Sequence, residues 1–376
     1  MDLVDLTREL VAIPSHEDET VAGNFLTAWL REHTDATVHN DAHGNVIARK
    51  GSGERSLALV GHHDVVPPDD EQLTDDGDYL VTRRDGRLYG RGTADMKGAL
   101  AAAMQTFAAA DPADGELVFA SFTGEEQGGE GCQAAIADGF EVDHAVVVEG
   151  STGYSGVGVP ASDASGGSSE RRSDGVTDVA VAHKGRRGST IVAEGEAAHA
   201  SEVGAGKNAI YRATDAVDIV RDLDFPTTEV LGHELAGSVA VTEIEGGSAW
   251  NVIPERCEVT VDERTVPDER APIEGVERVD GVSVRVDQDL PPMACGDADF
   301  ADTVLDVAAA SQDATPEHVV KPHATDAGWL AAAGTDCVVV GAAEPGEAHT
   351  ADESVSIEVL HRCRRIYDGV VDSWLG

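Results

Sequence analysis

The chain has 376 residues, enough to bury a large hydrophobic core distributed over more than one domain. Its 70 acidic residues outnumber the 27 basic residues, and the formal net charge is -43. An excess of this size repels nucleic acid and anionic membrane surfaces, so we expect neither as a partner.

The acidic residues are spread along the chain rather than gathered in a tail, and lysine is scarce. This pattern is typical of proteins from salt-accumulating halophiles such as the haloarchaea, and we expect poor folding at low salt. The five cysteines are widely spaced and form no CxxC pair, which favours reduced thiols in a cytosol. The start of the chain lacks the pattern of a signal peptide, and no apolar run approaches the roughly 20 residues of a membrane span. We therefore predict a cytoplasmic protein.

Apolar residues at helical spacing predict amphipathic helices over 3–11 and 18–32. Short apolar runs rich in β-formers then alternate with an alanine-rich segment that predicts a helix. The strands are predicted at 56–62, 116–122 and 145–148, and the helix at 97–110. This alternation is typical of an α/β sheet, and we assign residues 1–186 to the first part of one domain.

A segment rich in Gly, Ser and acidic residues, 151–177, predicts a loop near the end of this first part. Residues 187–289 then predict strand, helix, two strands, helix and strand, the order of a smaller ferredoxin-like α+β domain. The α/β alternation resumes over 290–376 and closes with a long helix from about Glu353. The predicted fold is therefore an α/β domain with a mixed sheet flanked by helices, interrupted by the smaller domain.

Several candidate metal ligands lie just beyond predicted strands, where open α/β sheets bind their ligands. Two histidines with several carboxylates suit a zinc-like cation, and the carboxylates exceed the needs of one tetrahedral ion. The pattern thus indicates two ions. The residues concerned are His62, Asp64, Glu125, Glu126, Glu149 and His349.

Five motifs extend this set over most of the chain: GHHDVVP at 61–67, GRGTADMKG at 90–98, TGEEQGG at 123–129, VVEGST at 147–152 and GEAHTADE at 346–353. Together they resemble the M20 metallopeptidase and deacylase family, which includes acetylornithine deacetylases and succinyl-diaminopimelate desuccinylases. All five occur in the family's order. The resemblance implies the zinc-peptidase-like fold and a hydrolase with two zinc ions, for which cobalt or manganese are alternatives.

The resemblance also implies roles for individual residues. His62, Asp95 and Glu149 would hold one ion, while Asp95, Glu126 and His349 would hold the other, so that Asp95 bridges the pair. Asp64 would accept the free ring N–H of His62 and fix its tautomer. Glu125 would act as the general base that takes a proton from the attacking water.

By the same resemblance, residues 187–289 form a lid and dimerisation domain of a homodimer. His199 of this domain would stabilise the tetrahedral oxyanion in the partner subunit's site, and Asn251 would lie near that site. Arg264 would bind a substrate carboxylate, for which its planar fork is suited. Thr325 and Asp326 are candidate substrate-binding residues in KPHATDAGWL, whose match to a substrate-binding loop of the family is loose because the usual Gly and Ser are fewer.

Plainer interpretations exist for single residues. Glu125 and Glu126 can be surface acids in so acidic a chain, and Arg264 can pair with its neighbours Asp262 or Glu263. His63 points away from its neighbours in an extended segment, so we predict a structural role for it. The motif set as a whole favours the functional interpretation of the two glutamates.

The leading functional hypothesis is a di-zinc amidohydrolase of amino acid biosynthesis that deacylates a small N-acyl amino acid, such as N-acetylornithine or N-succinyl-diaminopimelate. One alternative is a dipeptidase or glutamate carboxypeptidase of the same family. Another is a hydrolase of lysine or ornithine linked to a carrier protein. A more remote alternative, a non-catalytic dimeric binding protein, predicts loss of the base or of ligands, and all of these residues are present.

Overall fold

A computed structural model describes residues 1–155 and 175–376 of the chain. The predicted loop at 151–177 therefore falls, from 156 to 174, outside the described residues. The described helices are α1 Leu3–Val11, α2 Thr20–His33, α3 Gly98–Ala109, α4 Glu130–Ala137, α5 Ala209–Arg221, α6 Ala298–Ala310, α7 Asp326–Ala332 and α8 Ile357–Leu375. None of these helices combines the length and apolar character needed to cross a bilayer.

The strands are mostly short. They are β1 Thr37–Asn40, β2 Val46–Ser52, β3 Ser56–His62, β4 Thr82–Arg84, β5 Arg87–Tyr89, β6 Gly115–Phe122, β7 His144–Val147, β8 Val179–His183, β9 Gly185–Glu194, β10 Ala198–His199, β11 Thr227–Val230, β12 His233–Ala236, β13 Ser238–Gly246, β14 Val252–Ile253, β15 Arg256–Thr265, β16 Val282–Leu290, β17 Met293–Ala294, β18 His318–Lys321, β19 Asp336–Val339 and β20 Ser354–Ser356.

The chain divides into two compact units. The first comprises Met1–Ala182, Ala294–Lys321 and Thr325–Gly376, and the second comprises His183–Met293 with Pro322–Ala324. The predicted insert, residues 187–289, lies within the second unit.

The first unit is built on a nine-stranded mixed sheet in the order β1-β2-β6-β3-β7-β19-β8-β17, with β18 paired to β8. Strand β3 runs parallel to both β6 and β7, and β7 runs parallel to β19. Their central residues are fully buried, as expected of parallel strands covered on both faces, which is why they read as continuous apolar runs. Helix α3 packs against α1 and α8.

A small three-stranded sheet, in the order β20-β5-β4, also belongs to this unit. It corrects the predicted start of the final helix, which begins at Ile357 rather than near Glu353. The reason is that Ser354–Ser356 pair with β5, and the Ser356 hydroxyl then accepts the N–H of Val359 as the helix cap.

The second unit contains a four-stranded antiparallel sheet in the order β13-β15-β9-β16, with α5 packed on β9 and β15. Apolar side chains from the sheet and the helix, including Ile191, Val259 and Ala213, form its core. The four strands of this sheet and α5 follow the predicted order, with the short strands β10, β11, β12 and β14 in addition. The second predicted helix is a short 3-10 helix, Ile273–Arg278.

We expect Gly129→Ala to destabilise the protein at the turn that follows Glu125 and Glu126. The loss of stability should exceed the cost of placing alanine in a left-handed backbone conformation. Gly129 has φ +76°, and an added Cβ would lie 2.6 Å from Trp329 Nε1. The matched control is Gly139→Ala, since Gly139 has φ +95° but no described atom within 4 Å of an added Cβ. The control should cost about 1–2 kcal/mol for the left-handed backbone alone. Urea unfolding midpoints measure both variants, and an equal shift in the two would contradict the close packing at Gly129.

Candidate metal centre

The candidate ligands converge because three of them follow neighbouring parallel strands. His62 ends β3, Glu126 follows β6, and Glu149 follows β7. Strand β3 lies between β6 and β7 in the sheet. The carboxyl ends of the three strands therefore share one edge, where ligands of open α/β sheets are bound.

Asp95 reaches this edge from a different direction. It lies in an irregular turn, Thr93–Lys97, between β5 and α3, and its own backbone is extended with φ -124° and ψ 95°. Its Oδ1 is 3.1 Å from His62 Nε2, and its Oδ2 is 3.2 Å from His349 Nε2. One carboxylate thus presents a separate oxygen to each of two imidazoles.

Two groups of potential ligands result, and both contain Asp95. In the first, His62 Nε2 is also 3.3 Å from Glu149 Oε1, and in the second, His349 Nε2 is 2.9 Å from Glu126 Oε1. Within each group the donor atoms lie within 4.8 Å of one another. Imidazole nitrogens with carboxylate oxygens are the donor set that zinc-like cations prefer, so the residues fit two such ions sharing one carboxylate.

Asp64 contacts one residue of each group. The Nδ1 of His62 is 3.1 Å from the Asp64 carbonyl oxygen and 3.2 Å from its Oδ1. The other carboxylate oxygen, Oδ2, accepts the backbone N–H of Glu126 at 3.0 Å. Asp64 is buried, so these contacts hold a residue of each group in a fixed orientation.

The imidazoles and the shared carboxylate form strong ion pairs. Burial by itself would lower the pKa of His62, but the carboxylates of Asp64, Asp95 and Glu149 raise that pKa well above its usual range. Hydrogen bonds to Asp95 and Glu126 raise the pKa of the half-exposed His349 to about 10. Although burial opposes ionisation of Asp95, bonds from His349 and His62 hold the pKa of its carboxyl well below the usual range.

Glu125 stands beside these groups without belonging to either. Burial raises the pKa of its carboxyl well above the usual range, and the nearby carboxylates of Glu149, Asp326 and Asp95 add to the shift. A carboxylate with high proton affinity next to a polar cluster is suited to proton transfer.

Two buried ionisable residues near the cluster, Lys321 and Asp326, are not among the predicted metal ligands. Burial lowers the pKa of Lys321, against the pull of Glu149, Asp95 and Glu125, and its ammonium lies 5.7 Å from the Tyr154 ring centroid. Burial raises the pKa of Asp326 to about 8. The sequence signal for both residues was the segment KPHATDAGWL, which contains one of the few lysines. In the same segment Thr325 is buried, and its hydroxyl accepts the N–H of Ala327 at the start of α7.

The remaining predicted residues belong to the second unit. Ala198 and His199 pair with β14, and the N–H of Ala200 donates to the Asn251 carbonyl, so His199 and Asn251 are neighbours. His199 is exposed. Arg264 makes a two-point contact with Asp262, from Nε at 2.7 Å and Nη2 at 3.3 Å, as the plainer interpretation allowed.

A third group, His144, Asp297 and Asp336, also has metal-ligand spacing. Its carboxylates are already used in the fold, since Asp297 caps α6 through the N–H of Phe300, and Asp336 accepts the N–H groups of Gly296 and Asp297. His144 completes the group through a contact of 3.0 Å between its Nε2 and Asp297 Oδ2. These contacts indicate a structural role for the group.

The mixed α/β sheet thus carries two adjoining groups of histidine and carboxylate donors, the arrangement of a protein that binds two metal ions. The sequence profile of peptidase family M20/M25/M40 matches residues 58–373. The chain belongs to this family and is a hydrolase.

Relatives support this assignment over the full length. A succinyl-diaminopimelate desuccinylase of Xylella fastidiosa is 27% identical and aligns with 100% of this chain and 99% of its own. One from Xanthomonas oryzae pv. oryzae is 28% identical with the same coverage.

Solved structures share the fold. Aminopeptidase PepT of Bacillus cereus superposes with a TM-score of 0.74 at 18% identity, covering 98% of this chain and 97% of its own. An M20 metallo-carboxypeptidase of Sulfolobus solfataricus gives 0.72 at 14% identity, covering 99% of each chain. The YXEP protein of Bacillus subtilis, described as a dinuclear metal binding peptidase of the M20 family, gives 0.69 at 16% identity, covering 99% and 97%.

Metal binding should release protons. Because the carboxylates keep His62 and His349 protonated in the metal-free protein, and a metal takes imidazole in its neutral form, affinity should rise with pH. Calorimetric zinc titration in buffers of different ionisation enthalpy measures the release. His349→Ala should lower both the stoichiometry and the proton count, whereas a change of the exposed His43 to Ala should alter neither. Zinc binding without net proton release would contradict this account.

Proposed function

We propose that the protein is a two-metal amidohydrolase that removes the acyl group from a small N-acyl amino acid of the N-acetylornithine or N-succinyl-diaminopimelate type. The observation that carries the proposal is the shared carboxylate of Asp95, with one oxygen directed to each histidine. The names of the full-length relatives favour the succinyl substrate.

The proposed ligands are His62, Asp95 and Glu149 for one ion, and Asp95, Glu126 and His349 for the other. Zinc, with cobalt or manganese as alternatives, would lower the pKa of bound water towards about 7 and polarise the amide carbonyl. Asp64 holds the His62 ring through Nδ1, which keeps Nε2 directed towards Asp95 and Glu149.

Glu125 is the proposed general base. Its carboxylate accepts a proton from the attacking water and then delivers that proton to the nitrogen of the leaving amine. Once Glu125 has taken the proton of the water, its carboxyl group is the acid that the leaving amine requires.

Arg264 is the proposed contact for a substrate carboxylate. In the described structure Asp262 occupies the Nε and Nη2 side of its guanidinium, so a substrate that binds this side would have to replace the contact. Asp262 would retain a cationic partner, since Arg186 Nε donates to its Oδ2 at 2.8 Å. Asn251 and Thr325 remain proposed substrate-binding residues.

The second unit is the proposed lid and dimerisation domain. Strand β13 is an edge strand whose residues are mostly exposed, and an exposed edge is a template for pairing with another chain. Trp250, beside the proposed substrate residue Asn251, is 96% exposed. In the dimer, His199 would act in the partner subunit's site.

A peptide substrate is the second candidate, since the fold neighbours include proteins named aminopeptidase and metallo-carboxypeptidase. The same ligands and base would serve a peptide bond, because both reactions hydrolyse an amide. Specificity would then rest on residues outside the ligand groups.

Kinetics on metal-loaded protein test the proposed reaction. We expect hydrolysis of N-succinyl-diaminopimelate or N-acetylornithine to exceed that of simple dipeptides. Glu125→Gln should lower kcat by about 10²- to 10⁴-fold, the usual contribution of a general base, while the metal content stays at two ions. Glu130→Gln, an exposed change in the same segment, is the matched control. Full activity of Glu125→Gln would exclude the base role, and a clear preference for dipeptides would favour the peptidase.

Mixing two inactive variants tests the action of His199 in the partner's site. In a heterodimer of His199→Ala with Glu125→Gln, one site receives both an intact Glu125 and the partner's intact histidine. Activity should therefore reappear after the two variants are unfolded and refolded together. If it does not, although sedimentation shows that dimers form, His199 does not act across the dimer.

A further inference from the structure

Glu353 is a buried carboxylate in the same loop as His349, at the end of the motif GEAHTADE. It belongs to neither group of potential metal ligands. Its Oε1 accepts two backbone N–H groups, from Ala94 at 3.0 Å and from Asp95 at 3.2 Å. The side chain thus holds the main chain of the residue whose carboxylate is shared by both groups.

Arg91 orients this carboxylate from the other side. It is 3% exposed, and its Nη1 lies 2.5 Å from Oε2 of Glu353. Its Nη2 lies 3.4 Å from Asp69 Oδ2. The Glu353 carbonyl also accepts the N–H of Gly90 at 3.1 Å. Side chain and backbone of Glu353 therefore both bind the segment that leads into Asp95.

Such a buried ion pair is a weak source of stability, since removing two charges from water costs about as much as their attraction returns. Its value here lies in what Glu353 does for the turn. The backbone of Asp95 leaves the helical region, so local helical hydrogen bonds do not continue through it. The N–H groups of Ala94 and Asp95 need an acceptor, and a charged one binds them more strongly than a neutral one.

We propose that Glu353 is a positioning residue that directs the carboxylate of Asp95 towards both metal sites, with Arg91 holding Glu353 in place. The inference rests on the proposed two-metal centre. It assigns a role to charged residues of two motifs, one in GRGTADMKG and one in GEAHTADE. It also links the two loops that supply Asp95 and His349.

The proposal makes a specific demand on metal binding. Because Asp95 serves both groups, a shift of its backbone should weaken both ions together. Loss of a ligand that serves one group, such as His349, should mainly affect one ion. The positioning role therefore predicts that a change at Glu353, which ligates neither ion, lowers the affinity for both ions.

Cobalt titration of metal-free Glu353→Gln, followed by calorimetry and by the visible absorption of bound Co²⁺, tests this demand. Glutamine keeps the size and one acceptor oxygen but places a neutral amide against Arg91. We expect both cobalt affinities to fall by about 10- to 100-fold, the usual range for residues that orient metal ligands. The absorption spectrum should change at both sites.

Glu263→Gln is the matched control. Glu263 is also buried, its Oε1 accepts the N–H of Ala271 at 2.8 Å, and its Oε2 lies 3.8 Å from Arg187 Nη1. It belongs to the second unit, away from the ligand groups in the chain. The control should lose stability yet bind both ions as the wild type does.

The outcomes separate the positioning role from the metal centre itself. If the wild type binds no cobalt, the two-metal proposal fails. If the wild type binds two ions and Glu353→Gln binds both with unchanged affinity, the positioning role is wrong. Should Glu353→Gln not fold, Arg91→Lys decides: it keeps the buried charge but not the fork, and unchanged affinity for both ions there overturns the proposal.

Discussion

The structure around the site depends on one carboxylate that faces two imidazoles. Asp95 presents one oxygen to His62 and the other to His349, and these ligands come from segments far apart in the chain. Without cations, the surrounding carboxylates raise the pKa values of both histidines, so that the imidazoles supply the positive charge among them. Metal ions would replace those protons. The site is therefore arranged around positive charge in either condition.

Strands of the sheet position three of the five candidate ligands, and loops position the other two. Parallel strands β3, β6 and β7 deliver His62, Glu126 and Glu149 to one edge simply because adjacent parallel strands end together. Asp95 and His349 do not directly follow strands of this sheet. Their backbones are irregular, with Asp95 extended inside a turn and His349 at φ +62°, a region that non-glycine residues seldom adopt. Irregular backbone of this kind persists when surrounding contacts hold it.

Elements with a strong local pattern could be predicted closely. Strand 56–62 has the predicted bounds, because an apolar run bounded by polar residues specifies a strand locally. The start of the final helix could not be predicted closely. Ser354 belongs to a strand because it pairs with Tyr89, which is remote in sequence. Motifs predicted the candidate ligands. They did not indicate that Lys321 and Asp326 are buried near them, because burial depends on tertiary packing. The contact of Arg264 with Asp262 joins two residues of the same strand, and the sequence had offered it as the plainer interpretation.

The acidic composition and the acidic site have different physical origins. Surface carboxylates are solvated, so a net charge of -43 can be tolerated without partners. Buried carboxylates need cationic partners, and some of the few lysines are buried beside them. Lys97 and Lys321 are both buried in the first unit, and the carboxylates of Asp64 and Glu353 act on the first while Glu149, Asp95 and Glu125 act on the second. Glu125 thus has a buried cation, Lys321, among its neighbours, and Glu126 has His349. In such a setting two adjacent glutamates can have separate duties, one as a ligand and one as a proton carrier.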